Sequence, residues 1–455
     1  MAKAPTQNLS TTVAKFISSA PRRRLPTPVL ARAKAHVLDT FAAMISGAEM
    51  EPGRQAIKYA KSNGGKGVAG VLASKVRTDA QMAALANGMT AHADETDDSN
   101  QFSLTHPGCA VIPAALAMAE REKASGLDFL KAVTVGYDIC ARMGMALGGE
   151  AFVRSGKDSH AVAGAMGACA AASSLAGLDT QRVAWALSYA SQQASGLATL
   201  FRDSGHVEKA FVFGGLPARG GVAAATMVQS GMSGVADPLD GAPNFFTANN
   251  HLGDLKVAFS DLGNPFEIGR TNIKRWSVGS PAQAVMDALE ELIRTHQIKP
   301  GQVKAARVYL SPRSARVVDS REMLDINVQH LSAIMLVDGW LSFEASHDLK
   351  RVKDAKVAAM RKKVSLVPDP ALEDVRPMRQ GIAEIDLADG RTVRYHARAV
   401  RGTAENPMTI EEVEKKARDL MTPVLGPKRA DAVIAAIAAL DQAKRMDKLV
   451  ALMQV

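Results

Sequence analysis

The run Asp158-Ser-His160-Ala-Val-Ala-Gly-Ala-Met-Gly-Ala-Cys-Ala-Ala-Ala-Ser-Ser-Leu-Ala-Gly177 holds one β-branched residue and no Phe, Trp or Tyr. Alanine is the strongest helix former, and small side chains let helix backbones approach closely. Asp158 or Ser159 supplies an N-cap oxygen, and Gly177-Leu-Asp179 supplies a stop. The stretch reads as a tightly packed interior helix with His160 just ahead of it. The 455-residue chain agrees: it is 47% hydrophobic but only 5% aromatic, which favours helix on helix over a large sheet.

The pairing of a histidine with a helix start occurs earlier too. His92-Ala-Asp-Glu95-Thr-Asp97-Asp98-Ser99 is followed by Thr105-His106-Pro107-Gly108 and an apolar run from Ala110. Four carboxylates, several hydroxyls and two histidines in so short a span suit proton transfer on an anionic substrate better than a packed core. Lys209 lies before Gly214-Gly215-Leu-Pro217 and another Ala-rich run. Lys274 precedes Ser280-Pro281, which reads as an N-cap and first helical residue. His106, His160, Lys209 and Lys274 thus each stand ahead of an expected helix N-terminus, where unpaired N–H groups and the helix dipole attract anions. Taken singly, each is matched by a bland reading. The lysines are then solvated charges, and the histidines are caps or hydrogen-bonded core residues.

Residues 1–269 are helical in pattern, with helices expected at 9–20, 30–47, 78–93, 110–123, 127–147, 161–176, 180–196 and 217–231. The pattern then changes. Pro281–Thr295 is helical, Val303–Leu310 reads as a strand, and Asn327–Gly339 as a buried helix. Ile382–Leu387 and Arg391–Tyr395 flank Asp389-Gly390, the preferred tight hairpin turn. From Thr409 onward helical spacing returns. The expected fold is mainly α: a large all-helical domain from residues 1–269 and 405–455, and a smaller α+β domain over 270–404.

The net charge of +9 comes from scattered Lys and Arg without interleaved aromatics, so a small polycarboxylate partner is preferred to nucleic acid. Cys109, Cys140 and Cys169 form no CxxC pair, which argues against structural zinc or a cluster and for buried thiols in a reducing compartment. The basic first 24 residues lack a secretory apolar core, and no apolar stretch is long enough for a bilayer. A cytoplasmic protein without membrane attachment is expected.

These residues resemble the MmgE/PrpD family. His92–Ser99 is similar to its His-Ala-Leu-(Asp/Glu)-Phe-Asp-Asp-Thr motif. Thr105-His106-Pro107, Val111–Glu120, Tyr137–Leu147, His160 and Ala170–Asp179 are similar to the blocks that follow. The resemblance runs from about residue 8 to the C-terminus. It implies a homodimer whose α+β domain is a lid, and chemistry without metal or cofactor in a cleft between domains. It carries over a site of Glu95, Ser99, His106, His160, Lys209 and Lys274, with His330 where an aromatic residue usually stands. Val212-Phe213-Gly214 replaces the usual His-Pro-Gly after Lys209, and Arg275–Val278 replaces Pro-Tyr-Pro-Cys after Lys274. A substrate other than 2-methylcitrate is therefore expected.

The chemistry implied is removal of a proton, or of CO2, from a carbon next to a carboxylate. Lys209 and Lys274 are assigned to substrate carboxylates together with Ser99. His106 and His160 are the acid/base candidates, Glu95 or Asp98 is expected to orient a histidine or bind a hydroxyl, and His330 is a possible donor. Among Asp94, Asp97 and Asp98, one or two are expected to be solvated, and His92 is expected to partner its own loop. The leading expectation is a metal-independent, dehydratase-like lyase. A decarboxylase or epimerase on the same scaffold, a non-catalytic carboxylate binder, and a metal-dependent hydrolase using His92, Asp98, His106 and His160 are the alternatives.

Overall fold

The computed structural model describes residues 8–455, so the basic N-terminal stretch is described only from Asn8. Helices account for 61% of the described residues. Two compact units are present. Unit 1 takes the chain up to Ala93, then Asp97–Thr271 and Leu420–Val455; unit 2 takes Asp94–Thr96 and Asn272–Asp419.

In unit 1 the Ala/Gly-rich run forms the helix Ser159–Leu175, capped by Asp158, whose side chain accepts from Ala161 N–H. It packs against Gly126–Leu147, Pro107–Arg121 and Leu216–Gln229. The small residues decide this packing. A Cβ on Gly136 would lie 2.9 Å from the Gly167 carbonyl oxygen, and one on Gly167 would lie 2.7 Å from that of Gly136. Any larger residue would push the two helices apart, at the cost of the dispersion contacts around the crossing.

Unit 1 is not purely helical. Ala69–Gly70 pairs antiparallel with Arg77–Thr78. Buried Glu120 holds the turn by accepting from Gly70 N–H at 2.8 Å and from Arg77 Nη2 at 3.1 Å. A two-residue strand is too short to leave an alternating sequence pattern, which is why the helical reading passed over it.

Unit 2 contains a four-stranded sheet in the order Val364–Pro368, Val303–Leu310, Gly381–Leu387, Thr392–Ala397. The first pair is parallel and the others antiparallel. Val303, Ala306, Val308 and Leu310 are buried, and Lys304 between the first two is exposed. They meet Val285, Leu289 and Leu292 of Gln283–His296, and Leu331, Ile334 and Met335 of Val328–Asp338. This apolar face is the core of unit 2. Gly279, rather than Ser280, stands ahead of the 3-10 turn Ser280–Ala282 that opens into Gln283–His296.

Among the described residues one helix, Val207–Gln229, has the length and apolar composition of a membrane span, and 72% of its most apolar window is buried inside the fold.

Candidate active site

In unit 1 the helix ends gather three histidines around one aromatic ring, with a fourth, His206, against His92. Ala80–Ala91 ends at His92, Pro107–Arg121 starts from His106, and Ser159–Leu175 carries His160 in its first turn. His206 precedes the helix Val207–Ala210 in the left-handed region, with φ 59°. A non-glycine residue rarely adopts that conformation without a local reason. His92–His106, His92–His206 and His106–His160 have ring centroids 5.2, 5.1 and 5.1 Å apart.

Aspartates fix the imidazoles. Asp97 is fully buried. Its Oδ1 lies 2.9 Å from His106 Nδ1 and its Oδ2 lies 3.0 Å from His92 Nδ1. Asp158 Oδ2 lies 3.0 Å from His160 Nδ1. A carboxylate on Nδ1 sets that nitrogen as the proton donor, which leaves Nε2 of His160 as the lone pair for acid/base work. Burial pushes the Asp97 carboxyl upward, but the imidazoles of His106 and His92 outweigh it and hold it well below the usual range. At Asp158 burial likewise opposes ionisation, and His160 reverses the balance to a lowered value. Both aspartates are anions built into the interior to support imidazoles.

Phe213 stands at the centre. Its ring stacks on His160 at 3.7 Å and 14°, and on His92 at 4.4 Å and 24°. Lys209 Nζ lies 5.2 Å from its centroid. A π-helical segment, Phe211–Gly215, places Phe213 within the continuous helical run that begins at Val207. Lys209 thus lies inside a helical turn rather than ahead of a helix start. Such π-turns are rare and concentrate at functional sites. The segment is wedged against helix Ala80–Ala91: a Cβ on Gly214 would lie 2.0 Å from the Gly88 carbonyl oxygen. Cys109 Sγ donates to the Phe213 carbonyl at 3.4 Å, and burial pushes this thiol well above its usual range. All three cysteines are buried and free.

Asp98 has another occupation. Its Oδ2 accepts from Tyr137 OH at 2.6 Å and lies 2.7 Å from His36 Nδ1, while its Oδ1 accepts from Gly108 N–H at 2.9 Å. Burial lowers His36 below its ordinary value, and burial next to Asp98 raises Tyr137 well above. The carboxylate that aligns the cluster histidines is Asp97, not Asp98. Ser99 is buried directly beyond it.

Glu95, Lys274 and His330 belong to unit 2. Three buried or half-buried cations hold the segment Asp94–Thr96. Lys274 Nζ donates to the Glu95 carbonyl at 2.7 Å and sits 3.7 Å from its carboxylate. Lys416 Nζ donates to the Thr96 carbonyl at 2.9 Å. His347 Nε2 is 3.0 Å from Asp94 Oδ2 and 3.8 Å from Asp325 Oδ2. Burial alone would lower the His347 pKa, but Asp94 and Asp325 raise it to about 9. None of Asp94, Asp97 and Asp98 is solvated, contrary to the sequence expectation; each has a cationic or hydrogen-bonding partner that makes burial affordable. His330 is buried in helix Val328–Asp338, and burial with Arg361 and Arg351 lowers it to about 4. A pocket of about 510 Å³ in unit 2, lined by Asp338, Arg351, Asp354 and Lys356 among others, holds none of the expected site residues.

The sequence reading missed His206, Phe213 and the roles of Asp97 and Asp158. His206 and Phe213 carry no local motif. Asp97 and Asp158 were visible as residues beside a histidine, but the spacing did not say which carboxylate would reach which ring.

Two patterns of one family cover most of the chain. The MmgE/PrpD N-terminal domain matches residues 11–290, and the MmgE/PrpD C-terminal domain matches residues 276–442. The chain belongs to the MmgE/PrpD family. Its curated relatives include a cis-aconitate decarboxylase-like protein of Aspergillus oryzae, 24% identical over 98% of both chains. Human cis-aconitate decarboxylase is 27% identical over 86% of this chain and 83% of its own. The Aspergillus terreus cis-aconitate decarboxylase is 24% identical over 94% and 92%. At this distance the chain is a divergent member of the family.

Proposed function

We propose that this chain is a lyase that breaks a bond next to a carboxylate of a small di- or tricarboxylate. The observation that carries the reading is the pair His106 and His160, rings 5.1 Å apart, each with Nδ1 turned to a different buried aspartate. Two oriented imidazoles with Lys209 nearby supply a base, an acid and a cation. Proton abstraction beside a carboxylate needs all three.

Dehydration was the leading expectation from sequence. The relatives carry decarboxylase names, which favours loss of CO2 instead. In that reaction the C–C bond to one carboxylate breaks, CO2 leaves, and the electron pair stays on carbon, spread into the remaining unsaturated carboxylate. An imidazolium, His160 or His106, then delivers a proton to carbon. In the dehydration variant a neutral imidazole takes the proton from carbon, and a second acid protonates the departing hydroxyl. The same residues serve both.

A metal-dependent hydrolase is the rival reading. His92, Asp97 and His106 bring their ligand atoms within 4.8 Å of one another. Against it, both Nδ1 atoms already face the two oxygens of Asp97, so an ion would have to displace both contacts. On the family resemblance we extend the proposal to a homodimeric, cytoplasmic enzyme that needs no metal.

Proton NMR of chelator-treated protein in D2O, with cis-aconitate, citrate, 2-methylcitrate, malate and iminodisuccinate, tests the proposal. New vinyl signals or loss of a C–H signal next to a carboxylate is the expected result. Silence across the panel contradicts it. Turnover that returns only on adding a divalent ion supports the hydrolase.

A further inference from the structure

His106 and His160 are set by the same device, built from one residue in one case and from two in the other. At His160 a single carboxylate does two jobs. Asp158 Oδ1 accepts from Ala161 N–H at 2.9 Å and caps the helix Ser159–Leu175, while Oδ2 lies 3.0 Å from His160 Nδ1. At His106 the jobs fall to neighbours. Asp97 faces the ring at 2.9 Å, and Asp98 Oδ1 accepts from Gly108 N–H at 2.9 Å, in the first turn of Pro107–Arg121. His106 itself holds the N-cap position, and its side chain makes no capping bond. A helix start leaves N–H groups without intrahelical partners, and the N-cap side chain ordinarily takes one of them. Here Asp98 takes it, which leaves the His106 ring to Asp97.

The grip is built to close tolerance. A Cβ on Gly108 would lie 2.7 Å from Thr40 Oγ1, 2.8 Å from Asp98 Oδ1 and 2.9 Å from Tyr137 OH, so a glycine is what lets the carboxylate reach the amide. The other oxygen of Asp98 is anchored in turn. Tyr137 OH donates to Oδ2 at 2.6 Å, and His36 Nδ1 lies 2.7 Å from it. The anchors come from two further helices, Gly126–Leu147 and Thr27–Gly47, and all three side chains are fully buried. Replacing a buried polar network by packed apolar side chains is often close to neutral, so core stability alone does not account for Asp98. What the network adds is a fixed place for one helix start, the one that carries His106.

We propose that Asp98 is a positioning residue: anchored by Tyr137 and His36, it holds Gly108 N–H and thereby sets the His106 ring on Asp97. The task of His106 rests on the lyase reading; the positioning does not. Asp98 thus acts through His106, and His36 and Tyr137 act through Asp98.

Asp98→Ala removes the acceptor for Gly108 N–H, and Asp98→Asn keeps an oxygen there. Proton NMR of the ligand-free full chain reads the low-field Nδ1–H signals of His106 and His160, assigned by their loss in His106→Gln and His160→Gln. The kcat and KM for cis-aconitate, or for the panel member that reacts, are measured beside them. In Asp98→Ala the His106 signal is expected to shift or broaden while that of His160 stays. There kcat should fall about tenfold or more with KM within about twofold of wild type. Asp98→Asn should restore both readouts. Tyr137→Phe loosens the anchor by one hydroxyl, should move both readouts the same way by less, and decides the matter if Asp98→Ala does not fold. An unmoved His106 signal in the deciding variant makes Asp98 structural and overturns the proposal, as does an equal displacement of both histidine signals. A loss of kcat in Asp98→Asn equal to that in Asp98→Ala also overturns it and makes Asp98 an acid/base group. A wild type that shows the signals but turns over no panel member overturns the lyase reading and leaves the positioning to be decided by the NMR.

Discussion

Both units bury charge, but they use it differently. In unit 1 buried aspartates face imidazoles: Asp97 faces His92 and His106, and Asp158 faces His160. Imidazole is the side chain whose ordinary pKa lies between pH 5 and 8. In unit 2 the buried contacts around Asp94–Thr96 come from the ammonium groups of Lys274 and Lys416 and from a His347 raised to about 9. The first arrangement suits moving protons, the second holding fixed charge. The lesson is that a histidine's partner decides its task. His347 between two carboxylates behaves as a permanent cation, while His330, near Arg351 and Arg361, is lowered to about 4 and behaves as a neutral ring.

Breaking the unit 1 arrangement at its carboxylate gives the largest expected effect. Asp97→Asn leaves two buried imidazoles without their anion, and removing one partner of a buried pair costs about 3–5 kcal/mol. The stability that Asp97 contributes is present above its unfolded pKa near 3.8 and is lost as pH falls through its lower folded value. Urea unfolding of wild type and Asp97→Asn between pH 3 and 7 checks this. Equal stability at pH 7 would remove Asp97 from its place in the account.

The matching change in unit 2 is Asp94→Asn. We expect it to cost about 2–4 kcal/mol at neutral pH. His347 should titrate near its ordinary value or below, instead of at about 9. The sign is opposite to that of Asp97. A raised histidine contributes fully below pH 6.5, and the contribution is lost as pH rises toward 9. Histidine NMR of both proteins decides, and an unmoved His347 resonance contradicts the ion pair.

Phe213→Leu sharpens the comparison without removing any charge. Each aromatic stack contributes about 0.5–1.5 kcal/mol, and the larger loss is of orientation at His160 and His92. The expected outcome is a reduced kcat with KM nearly unchanged and a displaced limb in the pH–rate profile, restored by Phe213→Tyr. Equal loss of kcat in both variants would show that the stack is not what matters. The smallest effect is at His330. Its ring should titrate at about 4, so His330→Phe should leave stability near neutral pH almost unchanged and reduce acid sensitivity between pH 6.5 and 4.

Long periodic elements were legible in the sequence. Asp389-Gly390 turns between Gly381–Leu387 and Thr392–Ala397, and Asn327 and Gly339 cap Val328–Asp338 as their side chain and backbone freedom require. Short elements such as Val364–Pro368 and Ala69–Gly70 were not, because they span too few residues for a period to register. At the site, His106 and His160 were legible as ionisable groups beside helix starts, and they do come together. The choice of Asp97 over Asp98 was not. It depends on which carboxylate reaches the rings once three helices have met, and His36 and Tyr137, far away in sequence, claim the other. His206 and Phe213 were hidden for the same reason: a left-handed backbone and a π-turn place them, and neither has a compositional signature.

The central claim is that the imidazole cluster of unit 1 does chemistry rather than binding. His160→Ala measures it most directly, with turnover of cis-aconitate by NMR and affinity for propane-1,2,3-tricarboxylate by calorimetry taken on the same preparation. The account predicts turnover reduced by roughly 10²–10⁴-fold, the range for losing a general acid or base, with affinity within about threefold of wild type. Turnover preserved within a few-fold, or affinity lost in step with it, would contradict the account and make His160 a structural or binding residue.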